Sequence, residues 1–274
     1  MTSQNQAANP APKAEEAVLR APENENTLAT LAIPLGETIL TLTANGVPIY
    51  GILQRSRAMT EQSDFFRLQF RGYARAEGHR WQLFEGEDSH FHAAHNCAWV
   101  RVDRPSRTVT FGPKSGVMAS PGFVGTGLDT FLFASVISWA KGICPDHAIS
   151  PGMISMSQTS SEEERLQRNA FYASQGFEFE WQDANQRSAL YFKDKVNKLL
   201  GVWNKELITE VGGEAMLQSL ARQDETRAEL EQRLEKLESA HDGLKRALQK
   251  ERTTAQILTG VLILFAICGL WAVI

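Results

Sequence analysis

The feature of this sequence most suited to binding a charged ligand is a glycine-rich loop. It runs Ser-Pro-Gly-Phe-Val-Gly-Thr-Gly-Leu from Ser120 to Leu128 and leads directly into an apolar segment of helical spacing. Glycine lets a backbone approach a ligand closely, and the free N–H groups of a helix N-terminus attract phosphate. The loop has neither the Gly-Lys-Ser/Thr of a P-loop nor the spacing of a dinucleotide fingerprint, and glycines that simply form a turn are the commoner explanation.

A second group of reactive side chains occupies residues 90–97, in the stretch His-Phe-His-Ala-Ala-His-Asn-Cys. Its members His90, His92, His95 and Cys97 are all residue types that bind zinc. Their spacing matches no closed structural zinc site, and a polar loop between strands is the plainer interpretation. No metal is predicted.

The elements that must position these groups change character along the chain. Period-two patterns predict strands in the first half, and Asn45-Gly46 favours a hairpin because both residues tolerate positive φ. The predicted strands are 38–42, 47–53, 65–70, 80–84, 98–102 and 107–111. The predicted helix that follows begins at Leu128 and presents a wide apolar face, which indicates packing against a sheet.

The remaining elements of the domain are a strand at 153–156, a second helix, and strands at 177–181 and 189–192. Ser161 and Glu164 form a capping-box pattern at the start of the second helix, which should end near Gly176.

In this order of elements, and in the segment Arg168-Asn-Ala-Phe-Tyr-Ala-Ser-Gln-Gly-Phe177, the sequence resembles the GNAT acetyltransferase superfamily. In that family a Gln/Arg-x-x-Gly-x-Gly/Ala loop binds the acyl-CoA pyrophosphate, and a later Tyr-x-x-x-Gly-Phe segment supplies a tyrosine near the CoA sulfur. Residues 122–127 and 172–177 occupy these places, and the resemblance covers about 107–192. It implies an α/β fold with a GNAT-like mixed central sheet and flanking helices.

The resemblance also implies a cofactor, acetyl-CoA, and a set of site residues. The cofactor-binding residues would be Gly122, Phe123, Val124, Gly125, Thr126, Gly127 and Leu128. In this assignment Gly125 and Gly127 contact pyrophosphate through backbone amides, and Tyr172 is the general acid that protonates the departing thiolate. Packing beside Phe171 and Phe177 is the alternative role for Tyr172.

The sequence also departs from the family pattern. Gly122 stands where the family usually has Gln or Arg, and Arg165 and Arg168 stand where its second motif often has Asn and Ala. No Asp or Glu occurs from Arg104 through Leu128, so no carboxylate precedes the loop to act as a base. Two functions remain open: an acetyl-CoA-dependent N-acyltransferase, or a non-catalytic module that binds a protein partner or senses acyl-CoA.

Composition limits the other classes of function. A net charge of -4 supplies no basic footprint for nucleic acid. The 3 cysteines, Cys97, Cys144 and Cys268, have no paired spacing, so no disulfide framework is expected. Residues 1–30 are rich in Gln, Asn, Ala, Pro and Glu, which is typical of a disordered tail without a secretory signal. Residues 31–203 are long enough for one domain with a core.

The C-terminal stretch 257–274 carries no charged residue and would span roughly 27 Å as a helix, which predicts a transmembrane anchor. A buried core helix is the alternative. The cations just before the stretch favour a cytoplasmic N-terminal domain. They are Lys245, Arg246, Lys250 and Arg252. The expected protein is therefore single-pass and tail-anchored, with residues 253–274 at the membrane.

Between domain and anchor, residues 204–252 are charged and predicted to be helical. Apolar residues recur there at the a and d positions of one heptad register. They are Met216, Leu220, Leu230, Leu234, Leu237, Leu244 and Leu248, with His241 in the same series. We expect a coiled-coil stalk that makes the protein a homo-oligomer, the alternative being a lone solvated helix.

Overall fold

The computed structural model describes residues 23–78, 80–156 and 161–271, and the side chains as far as residue 264. The chain divides into two compact units, Met1–Val211 and Gly212–Ile274. We call the first unit the sheet domain. The second unit, in its described part, is one long helix.

The described residues of the sheet domain form eleven strands and three helices. The strands are β1 (Ile33–Ala44), β2 (Val47–Met59), β3 (Ser63–Glu77), β4 (Arg80–Leu83), β5 (Cys97–Asp103), β6 (Thr108–Gly112), β7 (Ala148–Ile149), β8 (Gly152–Ser155), β9 (Glu178–Trp181), β10 (Ser188–Phe192) and β11 (Ile208–Val211). The helices are α1 (Glu25–Leu31), α2 (Leu128–Ile143) and α3 (Glu162–Ser174), and the second unit contributes α4 (Gly213–Trp271).

The strands form two sheets. The larger has the order β11-β1-β2-β3-β5-β6-β7, with β4 paired to β3, and the smaller has the order β8-β10-β9. Within the described residues every strand pair is antiparallel except β6 and β7, which are parallel. The larger sheet is therefore mixed, in partial agreement with the predicted α/β class.

The first hairpin forms where the sequence predicts it. Asn45 and Gly46 have φ values of 52° and 77°, and Ala44 pairs with Val47 across the turn. Two successive positive φ values give a tight turn whose twist matches that of the strands.

Helix α2 packs its apolar face into the core, as its periodicity predicts. The buried side chains are Leu128, Phe131, Leu132, Phe133, Ala134, Val136, Ile137 and Ala140. Trp139, half-buried, stacks on Phe66 of β3 with ring centroids 4.8 Å apart. The guanidinium of Arg57 lies over the same indole and pairs with buried Asp64 at 2.7 Å. These contacts attach α2 to the centre of the larger sheet.

The predicted capping box at the start of α3 is confirmed. The Ser161 hydroxyl accepts the Glu164 N–H at 3.1 Å, and the Glu164 carboxylate accepts the Ser161 N–H at 2.9 Å. The helix ends at Ser174, and Gly176 adopts a φ of 89° just beyond it. A left-handed glycine at this position is a common way to end a helix.

Three described elements have no counterpart in the sequence prediction: α1, β7 and β11. Helix α1 lies in residues expected to belong to the disordered tail. Its Leu28 is fully buried and packs with Phe65 and Trp99 in a small second core. The rest of that predicted tail, 1–22, lies outside the described residues.

The predicted membrane anchor is wrong. Among the residues that the structure describes, no helix combines the length and the apolar character needed to cross a membrane. Helix α4 is long, but charged residues, among them Lys250, Glu251 and Arg252, recur along most of its described length.

This finding corrects two expectations. The fold class that included a C-terminal transmembrane helix is replaced by a mixed sheet with helices and one long C-terminal helix. The single-pass membrane location with a cytoplasmic domain is likewise wrong. The side chains of the predicted anchor at 265–274 lie outside the described ones.

Candidate functional site

A cleft of about 980 Å³ brings the glycine loop and Tyr172 together. Its walls are the segment 115–119, the glycine loop, the first turn of α2 and one face of α3. The loop lies in the connection from β6 through α2 to the parallel strand β7. The cleft therefore lies beyond the carboxyl end of β6, at the start of this crossover.

Three residues of the glycine loop line the cleft. Val124 is exposed, and Gly125 and Gly127 have left-handed φ values of 79° and 74°. No atom lies within 4 Å of a Cβ built on Gly125. In the described part of the chain, neither glycine N–H has a hydrogen-bond acceptor. The loop thus presents two free backbone donors beside the start of α2.

The other four predicted binding residues lie on the core side of the loop and hold it in place. Phe123 and Leu128 are fully buried in the core. Thr126 is also buried, and its hydroxyl donates to the Phe123 carbonyl at 2.7 Å and accepts the Leu128 N–H at 3.3 Å. A side chain at Gly122 would overlap the Asp88 carboxylate. Gly122 is therefore needed for close packing.

A buried polar network fixes the start of the loop, and the sequence did not reveal it. Asn96 donates through Nδ2 to the Ser120 hydroxyl at 2.9 Å and accepts the Ser120 N–H through Oδ1 at 2.8 Å. The Ser120 hydroxyl donates to the Asp88 carboxylate. Asn96 also donates its own N–H to the Met118 carbonyl at 2.9 Å. Because buried polar groups are costly to leave unpaired, these bonds define one position for the loop.

Tyr172 contributes its hydroxyl edge to the cleft wall and its ring to the core. The residue is 4% exposed, and its ring stacks on Tyr191 with centroids 4.4 Å apart. It also meets the edges or faces of Phe133, Phe171 and Phe177. A Cβ on Gly116 would lie 3.4 Å from the Tyr172 hydroxyl. Both roles considered for Tyr172, packing and proton donation, are compatible with this position.

Burial raises the pKa of Tyr172, and the nearby guanidinium of Arg168 only partly offsets this effect. The pKa of Tyr191 is raised by burial and by the neighbouring Tyr172 phenol. Both phenols therefore stay protonated throughout the neutral range, because an apolar environment disfavours a phenolate.

The charged side chains of the cleft come from the two helices. Arg168 of α3 is its one basic residue in the described part of the chain, and Asp129 of α2 and Glu164 of α3 are acidic. Asp129 accepts the Thr130 N–H at 2.7 Å, and Glu164 accepts the Ser161 N–H. Each carboxylate is thus already hydrogen-bonded at the start of its own helix.

The histidine-rich segment is not assembled as a ligand set. The His90 ring bonds the Gly86 carbonyl at 2.8 Å, and the His92 and His95 rings are 6.0 Å apart. Cys97 is buried beneath α1, where burial raises the pKa of its thiol to about 12. Within the described residues no three His, Cys, Asp or Glu side chains come close enough to hold a metal ion.

Comparison with protein-family models, with curated proteins and with solved structures gives no match. The resemblance to the GNAT superfamily therefore stays a prediction, and the geometry of the cleft carries the functional argument.

The buried phenols make a testable contribution to stability at alkaline pH. A phenol whose folded-state pKa exceeds its unfolded value of about 10 contributes stability that is complete below pH 10 and is lost as the pH rises through the folded-state pKa. We expect Tyr172→Phe to reduce the slope of unfolding free energy against pH above pH 10, by up to about 1.4 kcal/mol per pH unit. Urea unfolding of the full chain, followed by tryptophan fluorescence, measures it.

The matched control is Tyr73→Phe, which changes an exposed phenol on β3. It should keep the alkaline slope of the unmodified protein. Equal slopes for Tyr172→Phe and Tyr73→Phe would contradict the buried environment of Tyr172.

Proposed function

We propose that the sheet domain is a GNAT-like module that binds acyl-CoA, with acetyl-CoA as the simplest ligand, and does not transfer its acyl group. The observation that carries this proposal is the pair of left-handed glycines, Gly125 and Gly127, which line a large cleft at the start of α2 and whose N–H groups have no acceptor among the described residues. Such donors, together with the helix dipole, favour a phosphate group.

The fit of the cleft to a phosphorylated ligand depends more on backbone N–H groups than on charged side chains. Gly125 leaves open space for close approach. Arg168 supplies one cation, and Asp129 and Glu164 oppose it. Because both carboxylates already accept backbone N–H groups, part of their charge is compensated locally. We therefore expect binding that is measurable at millimolar ligand and sensitive to each of these charges.

The carboxylates of the cleft are poorly placed to act as a general base, which favours ligand binding over acyl transfer. An amine acceptor must lose a proton before or during attack on a thioester, which calls for a base within hydrogen-bond reach. The carboxylates that line the cleft each accept one backbone N–H of their own helix start, Asp129 that of Thr130 and Glu164 that of Ser161. Neither is free to move toward a ligand without giving up its backbone partner.

A second candidate function is N-acyltransfer, and the position of Tyr172 favours it. When bound, acetyl-CoA supplies a thioester whose acyl group can pass to an amine. The Tyr172 hydroxyl lies near Gly116 at the cleft wall and is protonated at neutral pH, so it has a proton to give to a departing thiolate, although its raised pKa makes it a weaker acid. In this function Tyr172 is the general acid, as the resemblance implies.

We further propose that α4 is a coiled-coil module through which the protein forms homo-oligomers. The leucines of its heptad series are between 47% and 71% exposed on the single helix. They are Leu220, Leu230, Leu234, Leu237, Leu244 and Leu248. Charged residues surround this apolar stripe, and such an arrangement gains most of its stability by burying the stripe against another helix.

Ligand binding can be tested by substitutions with opposite expected signs. Gly125→Glu should abolish binding of acetyl-CoA, because it adds a side chain and a negative charge beside the free amides. Arg168→Gln should weaken binding and Asp129→Asn should tighten it, each by roughly threefold to tenfold for one charge near the surface. Titration calorimetry of the full chain at millimolar acetyl-CoA measures all three affinities.

Two controls separate binding from general damage. Gly46→Glu places the same side chain on a glycine with nearly the same φ, 77°, and equally open surroundings, in the β1–β2 hairpin. Arg165→Gln removes a cation that lies on α3 and pairs with Glu162 outside the cleft. Both should leave the affinity unchanged. No heat and no thermal stabilisation with the unmodified chain would refute the proposed ligand.

Release of free CoA from acetyl-CoA in the presence of primary amines decides between binding and transfer. The binding proposal expects no release above the uncatalysed rate. Acyl transfer would give release that falls roughly a hundredfold in Tyr172→Phe, with acetyl-CoA affinity little changed. Tyr73→Phe is the control, because its phenol is exposed on β3 and does not line the cleft.

Self-association predicts a specific effect of charge in the leucine series. The double substitution Leu234→Lys and Leu237→Lys should convert the oligomer to monomers, because it buries two ammonium groups per chain in the contact. Gln232→Lys with Ser239→Lys adds the same charge outside the a and d positions and should leave the oligomer intact. Sedimentation equilibrium of the full chain reports the mass, and a monomeric unmodified chain at tens of micromolar would refute the proposal.

A further inference from the structure

The heptad register of α4 places polar residues at two a positions and one d position, the latter being Gln223. With Leu220, Leu234 and Leu248 at a, the same series places Arg227 and His241 at a, two heptads apart. The d positions of the central part are Leu230, Leu237 and Leu244. Between the polar positions, the stretch 230–237 is therefore apolar at every a and d position. A polar residue at an a position selects the register of a coiled coil, because any shift would bury it against leucine.

The charge at Arg227 has a partner within its own helix. Its Nε donates to Glu231 Oε1 at 2.9 Å, one turn further along. Glu231 is an e position, at the edge of the apolar stripe, so the pair can stay in contact with water while the aliphatic part of Arg227 packs. Arg227 therefore does not prevent two copies of the helix from meeting at this layer.

The residues flanking the stripe determine which orientation of two helices is favourable. In a parallel pair each g position meets the e position five residues further along the other chain, which joins Arg233 to Glu238 of the second copy. The remaining g residues, Ser219, Thr226, Ala240 and Ala247, are uncharged, so no like charges meet along the edges. At the Arg227 layer the guanidinium groups of the two copies do meet, each paired with Glu231 of its own helix. The parallel arrangement thus has attractive contacts and no repulsive ones along its edges.

The antiparallel arrangement brings like charges together. In such a pair the e positions face one another, and the alignment that packs Leu234 on Leu237 of the second copy puts Glu231 beside Glu238 of that copy. Both carboxylates are exposed on the single helix. The same alignment places Asp224 beside Lys245 of the second copy, so its edge attractions and repulsions offset each other. It also packs the polar residues Arg227 and His241 against leucines of the second copy, Leu244 and Leu230, which disfavours the arrangement.

From these two observations, the polar a positions and the complementary edge charges, we infer that α4 pairs with a second copy of itself as a parallel, in-register coiled coil. This inference rests on the proposed self-association and adds its orientation and register. Arg233 and Glu238 of the second copy form the orienting contact. Within its own helix Arg233 has only a long contact of 3.8 Å to Glu229, so its guanidinium remains able to reach a partner.

Charge reversal at the orienting contact tests the inference. In a parallel pair Arg233→Glu and Glu238→Arg should each weaken association of the full chain by roughly threefold to tenfold, because two edge attractions become repulsions. The double variant should return to within about twofold of the unmodified chain, since it restores both attractions with reversed sign. Sedimentation equilibrium at low ionic strength measures the dissociation constants.

The sign of the Glu238→Arg effect separates the two orientations. An antiparallel pair would associate more tightly in Glu238→Arg, because the new arginine would face Glu231. That result would overturn the parallel arrangement, and so would a double variant that associates no more tightly than the single variants. Self-association itself would still stand if the Leu234→Lys, Leu237→Lys variant dissociates. A monomeric unmodified chain would overturn both.

Discussion

The burial of α2 is the constraint on which the site depends. Its eight buried side chains require the helix to lie against the larger sheet, with Trp139 stacked on Phe66 and Leu128 already inside the core at the first turn. A helix held in this way has only one place for its N-terminus. Gly127 must then turn the chain with a positive φ directly before the core, and the loop that precedes it must lie at the cleft. The position of the loop and its backbone N–H groups at the cleft therefore follows from the hydrophobic burial of α2.

The same aromatic core determines what Tyr172 can do. Phe133 of α2 contacts Phe171 and Tyr172 of α3, and Tyr172 stacks on Tyr191 of the smaller sheet. These contacts join the two sheets through α3, and each aromatic pair adds about 0.5–1.5 kcal/mol beyond its buried area. They also desolvate the phenol and hold its proton firmly. A residue this deeply involved in packing has little freedom to follow a substrate, whatever the chemistry of its hydroxyl.

The sequence correctly predicted those features that depend on interactions between residues close together in the chain. The Asn45-Gly46 turn, the face of α2 and the capping box at Ser161 each depend on neighbouring residues, and each is present. Contacts distant in sequence could not be foreseen. Helix α1 is held in place because Leu28 is buried against residues that are distant from it in the sequence. Glycine spacing alone could not distinguish Gly125, which faces open space, from Gly122, which makes room for Asp88. An uncharged run likewise could not establish a membrane span by itself.

The arrangement of charge in the cleft affects how tightly an anionic ligand could be held. The dipole at the start of α2 favours an anion, yet the chain places its own carboxylate, Asp129, in that turn, where it accepts the Thr130 N–H. An acidic residue there stabilises the helix by interacting with its dipole, so it competes with any ligand that uses the same field. A site under selection for tight binding of a phosphate would gain from a neutral or basic residue at this position. If the proposed acyl-CoA ligand binds here, Asp129 therefore favours weak binding and ready release.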